Sequence, residues 1–529
     1  MSNVSDSSMK DEKPAKPVRR FGTGALSLLQ VACVTVLFAG LNYLGAKHYV
    51  PKDLSADSAY MLSPATQRYL ESPAVRDRTE PIRLLLAFRR SSPIYDRVRA
   101  LGEEYFRLSG GKVKLELLDP VRSPDRTQQV AKEYGDVFQI SFNKSMFTTD
   151  LVIVDARTKD QKQVSLTAEA AGNASSHVHF IEAERMIRYE TEFKGENSQR
   201  KITGFLGEDA ITTGIVSALE GKPRKIYLLA DKSGFRNEGA DSPLTNFEAT
   251  LLSQNALTLR AQISGIDRIP DDVSAVAIIN PAYDFSPQEL AVLTEYWERP
   301  KSSVLVTLGS ADTPPRLRAF LRNLGITPRK DRVISKKGDQ VVTNVRAGFT
   351  AGMDFTRDFA NKTTIFEGAT SSLEVREKDN DEFTAKGIRP YVLIETDRDF
   401  WGETKFSTAK PEFDRNEDYP GPLSLAGAVI RGAATRDDLG DRISRMVVVS
   451  NSEFLSPRYF SDINKDFLAS SVNWLIGRED LAGTGPRTLG SYKLPLLDSQ
   501  VSFINRVNLF FLPAFGALIA GLVWSSRRA

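Results

Sequence analysis

The side chains whose types could do chemistry are four carboxylates, Glu208, Asp209, Asp231 and Asp284. Two carboxylates meeting at the carboxyl edge of a sheet can divide general acid and general base between them. Asp231 follows an expected strand and Asp284 stands just ahead of a Ser286 helix cap, so turns and caps account for them more simply. All four are therefore read as possible ligand or docking positions, not as a catalytic set. His177 and His179, at i and i+2, could share one face of a strand and bind a metal. No acidic partner is spaced to complete that site, so no metal is expected. Leu108-Ser109-Gly110-Gly111-Lys112 looks like the signature loop of an ABC ATPase. No Gly-x-x-x-x-Gly-Lys-Ser/Thr loop accompanies it, and it reads better as a glycine turn ending a helix. The loop Arg89-Arg90-Ser91-Ser92-Pro93 lacks a thiolate for redox exchange. No Gly-x-Ser-x-Gly elbow, His-Glu-x-x-His helix or Asp-rich calcium loop is present. No catalytic residue and no cofactor are expected.

The elements that would have to position these groups belong to a long chain. Its 529 residues exceed the roughly 150 of one domain, so several cores are expected. Lys plus Arg number 70 against 67 Asp plus Glu, too balanced for a protein that grips nucleic acid. The single cysteine, Cys33, excludes an intrachain disulfide and a multi-cysteine zinc site.

Two uncharged apolar runs, residues 21–46 and 507–526, read as transmembrane helices, since about 20 helical residues cross a bilayer. Lys10, Lys13, Lys16, Arg19 and Arg20 precede the first run, and Arg527 and Arg528 follow the second. That bias places the tails 1–20 and 527–529 in the cytoplasm and the bulk of the chain outside it, at a bacterial inner membrane.

Between the runs, a first α/β domain is expected over 51–170. Its expected elements are a strand at Ile82–Phe88, a helix after Ser92-Pro93, a strand at Lys112–Leu118, a helix after Ser123-Pro124 and strands near 150–155 and 162–167. Residues 171–223 read as a connecting segment. A doubly wound, mainly parallel domain follows over 224–329, with Ser286-Pro287-Gln288-Glu289 forming a capping box with Pro at N1. Residues 330–440 read as a β-rich insertion, 441–480 as the return to the sheet, and 481–506 as a linker.

The order of these segments resembles the auxiliary component of gliding-motility-type ABC transporters. The residues that carry it are Val113 to Pro120, Gly207-Glu208-Asp209-Ala210-Ile211-Thr212, Asn280-Pro281 with Ser286 to Leu290, Pro420 to Leu423 with Leu425-Ala426, Val447 to Leu455, and Asn473-Trp474-Leu475. The resemblance implies a redox-inactive thioredoxin-like domain and an amidotransferase-like (intraflagellar-transport-like) doubly wound domain without catalytic residues. It implies as partners a polytopic permease and a separate cytoplasmic ATPase, with no nucleic acid; homo-oligomers are compatible with it. This chain departs from the family at Asp231-Lys232-Ser233-Gly234-Phe235, where relatives often carry a Gly-His-Gly-Glu-like turn.

The expected function is a non-enzymatic, membrane-anchored auxiliary subunit whose periplasmic body docks on a permease or its cargo. Two alternatives stand beside it. An envelope hydrolase requires Glu208, Asp231 and Asp284 to converge. A carbohydrate or peptide receptor requires an aromatic groove, for which Trp401 and Tyr419 are the candidates.

Overall fold

Apolar residues in the expected strands come as continuous runs, as in Leu84-Leu85-Leu86, Val276-Ala277-Ile278-Ile279 and Val447-Val448-Val449, the pattern of strands covered on both faces. A computed structural model of the full chain shows a mixed α/β protein built on them. It describes residues 20–47, 61–143, 150–159, 177–194, 197–235, 239, 242–377, 381–406, 411–432, 443–481, 489–490, 502–503 and 505–526. The expected strand at 162–167 lies outside these. Two units are distinguished, Met1–Tyr60 and Met61–Ala529.

In the first unit, helix α1 spans Arg20–Lys47. Its described side chains, residues 28–44, are exposed, Phe38 at 69%.

The second unit opens with α2 (Pro64–Glu71), capped by the Ser63 side chain with Pro at its start. A four-stranded sheet follows: β1 (Ile82–Ala87), α3 (Tyr95–Leu108), β2 (Val113–Leu118), α4 (Pro124–Asn143), β3 (Leu151–Asp155) and β4 (Val178–Glu182). The order is β2-β1-β3-β4, with β1 and β2 parallel and β3 and β4 antiparallel. Helix α3 stops where Gly110 and Gly111 take φ of 59° and 83°, a conformation glycine adopts without strain, so Leu108 to Lys112 is a chain-reversing turn. The hairpin β5 (Ile187–Lys194) and β6 (Asn197–Phe205) then leads to α5 (Gly207–Glu220).

Helix α5 falls in the segment read from sequence as a connector. Ile211, Ile215 and Ala218 recur at helical spacing, and all three are buried in one core with Leu84, Val98 and Tyr105. Glu208 and Asp209 in its first turn suit the positive end of the helix dipole, and Gly221 closes it at φ 72°. The helix is thus a structural cover of the first sheet.

The larger sheet has 11 strands, two of which, β11 (Ile326–Pro328) and β16 (Leu373–Val375), pair off its main path. Its parallel half comprises β7 (Arg224–Leu229), β8 (Ala256–Ala261), β9 (Val273–Ile279), β10 (Ser303–Thr307) and β21 (Ser444–Val449), in the order β8-β7-β9-β10-β21. Helices α6 (Pro243–Ser253), α7 (Pro287–Glu298), α8 (Pro315–Arg322) and, after β21, α9 (Asp462–Leu475) accompany it. The capping box at Ser286 and Glu289 is formed in both directions.

The segment read as a β-rich insertion is rich in strands, and most of them extend this sheet. From it, β14 (Val345–Phe349), β15 (Thr363–Phe366), β17 (Ile388–Thr396) and β20 (Ser424–Arg431) continue beyond β21 as an antiparallel row, β15-β14-β17-β20. Short strands joined without crossover helices can pair only this way. A separate small sheet joins β12 (Arg332–Lys337), β13 (Gln340–Val342), β18 (Trp401–Glu403) and β19 (Tyr419–Pro420).

The expectation of two transmembrane helices is overturned: among the described residues, no helix is long and apolar enough to cross a membrane. The closing helix α10, Leu512–Ser526, has 15 residues, about 22 Å at 1.5 Å each, against roughly 30 Å of hydrocarbon. A π-helical segment, Val507–Phe511, precedes it. Both runs still leave large apolar side chains bare, Phe510 at 70% exposure.

The packing of α5 can be checked directly. Ile215→Ala should lower stability by about 2–4 kcal/mol in urea unfolding, as for a fully buried aliphatic side chain. A loss under about 0.5 kcal/mol, as at a surface position, would remove α5 from the core.

Candidate functional site

In doubly wound sheets, ligands bind beyond the carboxyl ends of the strands, where the strand order reverses. Here the reversal lies between β7 and β9, because β8 follows β7 on one side while β10 and β21 follow β9 on the other. The loops leaving these two strands carry Asp231 to Phe235 and Asn280 to Asp284.

Main-chain hydrogen bonds zip those loops together. Gly234 N–H donates to the Asn280 carbonyl at 2.7 Å, Ala282 N–H donates to the Lys232 carbonyl at 2.9 Å, and Ser233 pairs with Pro281 as an isolated bridge. Asn280 itself has φ 48°. Gly309, just beyond β10, lies so close that a Cβ there would fall 1.8 Å from Asn280 Oδ1.

Lys232 fills what remains. Its side chain is 9% exposed, its Nζ lies 2.8 Å from Glu289 Oε2 and 3.9 Å from Asp231 Oδ2, and it sits 5.4 Å from the centre of the Phe285 ring. Burial raises the Glu289 carboxyl, but Lys232 and the Ser286 N–H outweigh it and hold the group below its ordinary value. From sequence Lys232 stood out only as part of the turn Asp231 to Phe235, with nothing to mark its side chain as buried.

The carboxylates singled out from sequence have structural partners. Asp231 accepts from the Ile263 and Ser264 N–H groups at 3.1 and 3.2 Å, capping the turn after β8. Asp284 accepts from Arg316 N–H at 3.1 Å and Arg316 Nη1 at 2.9 Å. It thereby caps α8, whose own N-cap, Pro314, offers no side-chain acceptor. Asp231 and Asp284 thus stand on two sides of Lys232, whose Nζ is 3.4 Å from the Asp284 carbonyl.

Glu208 and Asp209 belong to a different place, the start of α5. Glu208 accepts from Ser63 N–H at 2.7 Å, and Asp209 lies 3.7 Å from Lys465 of α9. Burial pushes both carboxyls above their ordinary values. Beside them, Tyr105 and Thr212 share a hydrogen bond of 2.6 Å. The convergence of Glu208, Asp231 and Asp284 required of a hydrolase is therefore not formed.

His177 and His179 lie against α5. A His177 ring nitrogen is 2.8 Å from the Ala218 carbonyl, and burial pulls His179 down to about 4. No group of three or more metal-ligating side chains occurs among the described residues. Trp401 pairs with Pro420 and Tyr419 with Gly402, which puts the two aromatic residues on opposite faces of the small sheet. Trp401 donates to Glu403 and meets Phe413 edge-on, while Tyr419 carries the Arg329 guanidinium 4.2 Å above its ring. They do not line one groove.

No family model and no curated protein matches this chain. Among solved structures, the N-terminal domain of mmIFT52 aligns at 13% identity over 48% of this chain and 96% of its own, with a TM-score of 0.33. A ThuA-like protein from Bacteroides uniformis aligns at 9% identity over 47% and 91%, TM-score 0.26. An exo-β-1,4-mannosidase from an Opitutaceae bacterium aligns at 12% identity over 52% and 39%, TM-score 0.24. Likeness this distant says nothing of activity.

The crevice has a pH signature. Because Glu289 is held low in the folded state, its pairing stabilises the fold above the unfolded value near 4.3 and is lost as pH falls through the folded value. Lys232→Met should cost about 1–3 kcal/mol at pH 7. The difference from wild type should shrink below about pH 4.3 in urea titrations; a difference that stays constant would show that Lys232 contributes packing and not charge.

Proposed function

We propose that this chain is a non-enzymatic auxiliary subunit of an ABC-type transport or gliding-motility-like system. In this reading it docks on a polytopic permease or its cargo, while a separate cytoplasmic ATPase subunit hydrolyses ATP. The observation that supports it most is the switch-point crevice, occupied by Lys232 and zipped by its own loops, which suits a body that offers surfaces more than one that turns over a substrate.

The strand orders lend support to the finer fold reading. The β-α-β-α-β-β succession of β1 to β4 in the order β2-β1-β3-β4, followed after the β5–β6 hairpin by α5, supports the thioredoxin-like reading. The loop after β1 offers Arg89, whose guanidinium is held by Asp150 at 3.0 Å, in place of a thiolate. The order β8-β7-β9-β10-β21 is the flavodoxin-type winding an amidotransferase-like body would share.

Placement at the cell envelope rests on the resemblance. Apolar side chains left bare on α1 and α10, such as Leu37 and Leu518 at 64% each, call for a covering surface, which the permease supplies in this reading.

Tagged full-length protein extracted from native membranes in mild detergent should bring down a permease and an ATPase in stable ratio. Recovery of the protein alone would defeat the proposal. Deleting residues 502–526 should reduce that recovery at least tenfold, a loss of about 1.4 kcal/mol or more in binding.

A further inference from the structure

The two sheet bodies of the second unit keep separate hydrophobic cores. Leu84, Tyr105 and Ile215 belong to one, and Leu228, Phe247 and Phe467 to the other. The named contacts that cross between them are largely polar, and polar seams between bodies are where relative motion is expected.

The seam is uneven along α5. At its C-terminal end, Arg478, 6% exposed, binds both Glu220 carboxylate oxygens and donates to the Gln254 and Asn255 carbonyls. Asn255 also donates to Glu220 at 3.1 Å, while midway along α5 Thr213 donates to the Ser253 carbonyl at the edge of the cleft. At its N-terminal end, Asp209 and Lys465 stand 3.7 Å apart, beyond a good hydrogen bond. A cavity of about 40 Å³ lies there, lined beside that pair by the polar Thr66, Thr213, Ser253 and Asp466 and by the apolar Val216 and Leu481. It has room for a few waters at roughly 10–15 Å³ each. The other pair on this side, Arg68 with Asp358, is 39% and 24% exposed, and such surface pairs hold weakly.

We propose that the first sheet body hinges on the second about Arg478 and Glu220, opening at the cleft between Asp209 and Lys465. The groups facing Asp209 set how protons bear on the motion. Helix α9 presents Lys465 and Asp466, α5 itself presents Glu208, α3 presents Tyr105, α2 presents Thr66 and Arg68, and the end of α6 presents only uncharged Ser253 and Gln254. Asp480 lies on the segment that returns to α2. Burial raises Asp209, Glu208 and Asp480 in the closed seam, and opening wets them. A group whose closed-state pKa is raised binds its proton more tightly when closed, so acid favours closure and rising pH loosens the cleft.

Hydrogen exchange of the full chain, read by mass spectrometry at about pH 4, the ordinary carboxylate value, and at about pH 8, corrected for intrinsic rates, tests this. Residues 64–71 and the first turn of α5 should lose protection by about threefold or more at the higher pH, while β9 holds constant. Asp209→Asn should flatten that dependence. Lys465→Met, which leaves the carboxylate unpaired, should steepen it. Equal protection at both pH values, or loss shared equally with β9, would overturn the hinge. An unchanged slope in Asp209→Asn would overturn the assignment to this cleft.

Discussion

One guanidinium withdrawn from water joins the two halves of the second unit. Arg478 ties the end of α5, the turn between α6 and β8, and the segment leaving α9 into one hydrogen-bonded knot. Burial pushes its pKa down, and its contact with Glu220 pushes back. A buried charge is tolerated only where its partners are fixed, so each of these segments constrains the others. The four-stranded sheet is held against α6 and α9 through this knot, not through a shared apolar core.

The closed switch point follows from similar local demands. Asp231 is needed to cap the turn after β8, and Asp284 is needed to cap a helix that begins with two prolines. Both carboxylates are thereby drawn from the crevice into the framework. Lys232, left between them, finds Glu289 in the capping box of α7. Around this switch point, charged groups are committed to one another.

Much of this was legible in the residues. The parallel strands announced themselves as short apolar runs, and Ser242, Ser286 and Ser461 each precede a helix that they cap. That Asp231 and Asp284 serve turns and caps suited their neighbours, but the segments they cap, at Ile263–Ser264 and Arg316, are set by tertiary approach. Helix α5 was hidden because Thr212 and Thr213 interrupt a short apolar stripe among polar flanks. The antiparallel half of the large sheet was hidden for another reason: the partners of β14, β17 and β20 are chosen by tertiary pairing, which no local pattern encodes. Lys232, Lys465 and Arg478 gave no sequence signal, since a basic residue reads alike on a surface and in a knot.

The position of β21 bears on how the molecule is made. This strand lies between β10 and β20, yet its residues follow those of β10 by well over a hundred positions. A nascent chain that has already emitted β7 to β10 therefore holds the apolar flank of β10 without its neighbour until residue 449 has left the ribosome. At about 5–20 residues per second, that interval lasts on the order of ten seconds. An unpaired apolar strand edge exposed for so long is a target for wrong pairing and for chaperones. Biogenesis, more than the finished fold, is where this sheet is most vulnerable.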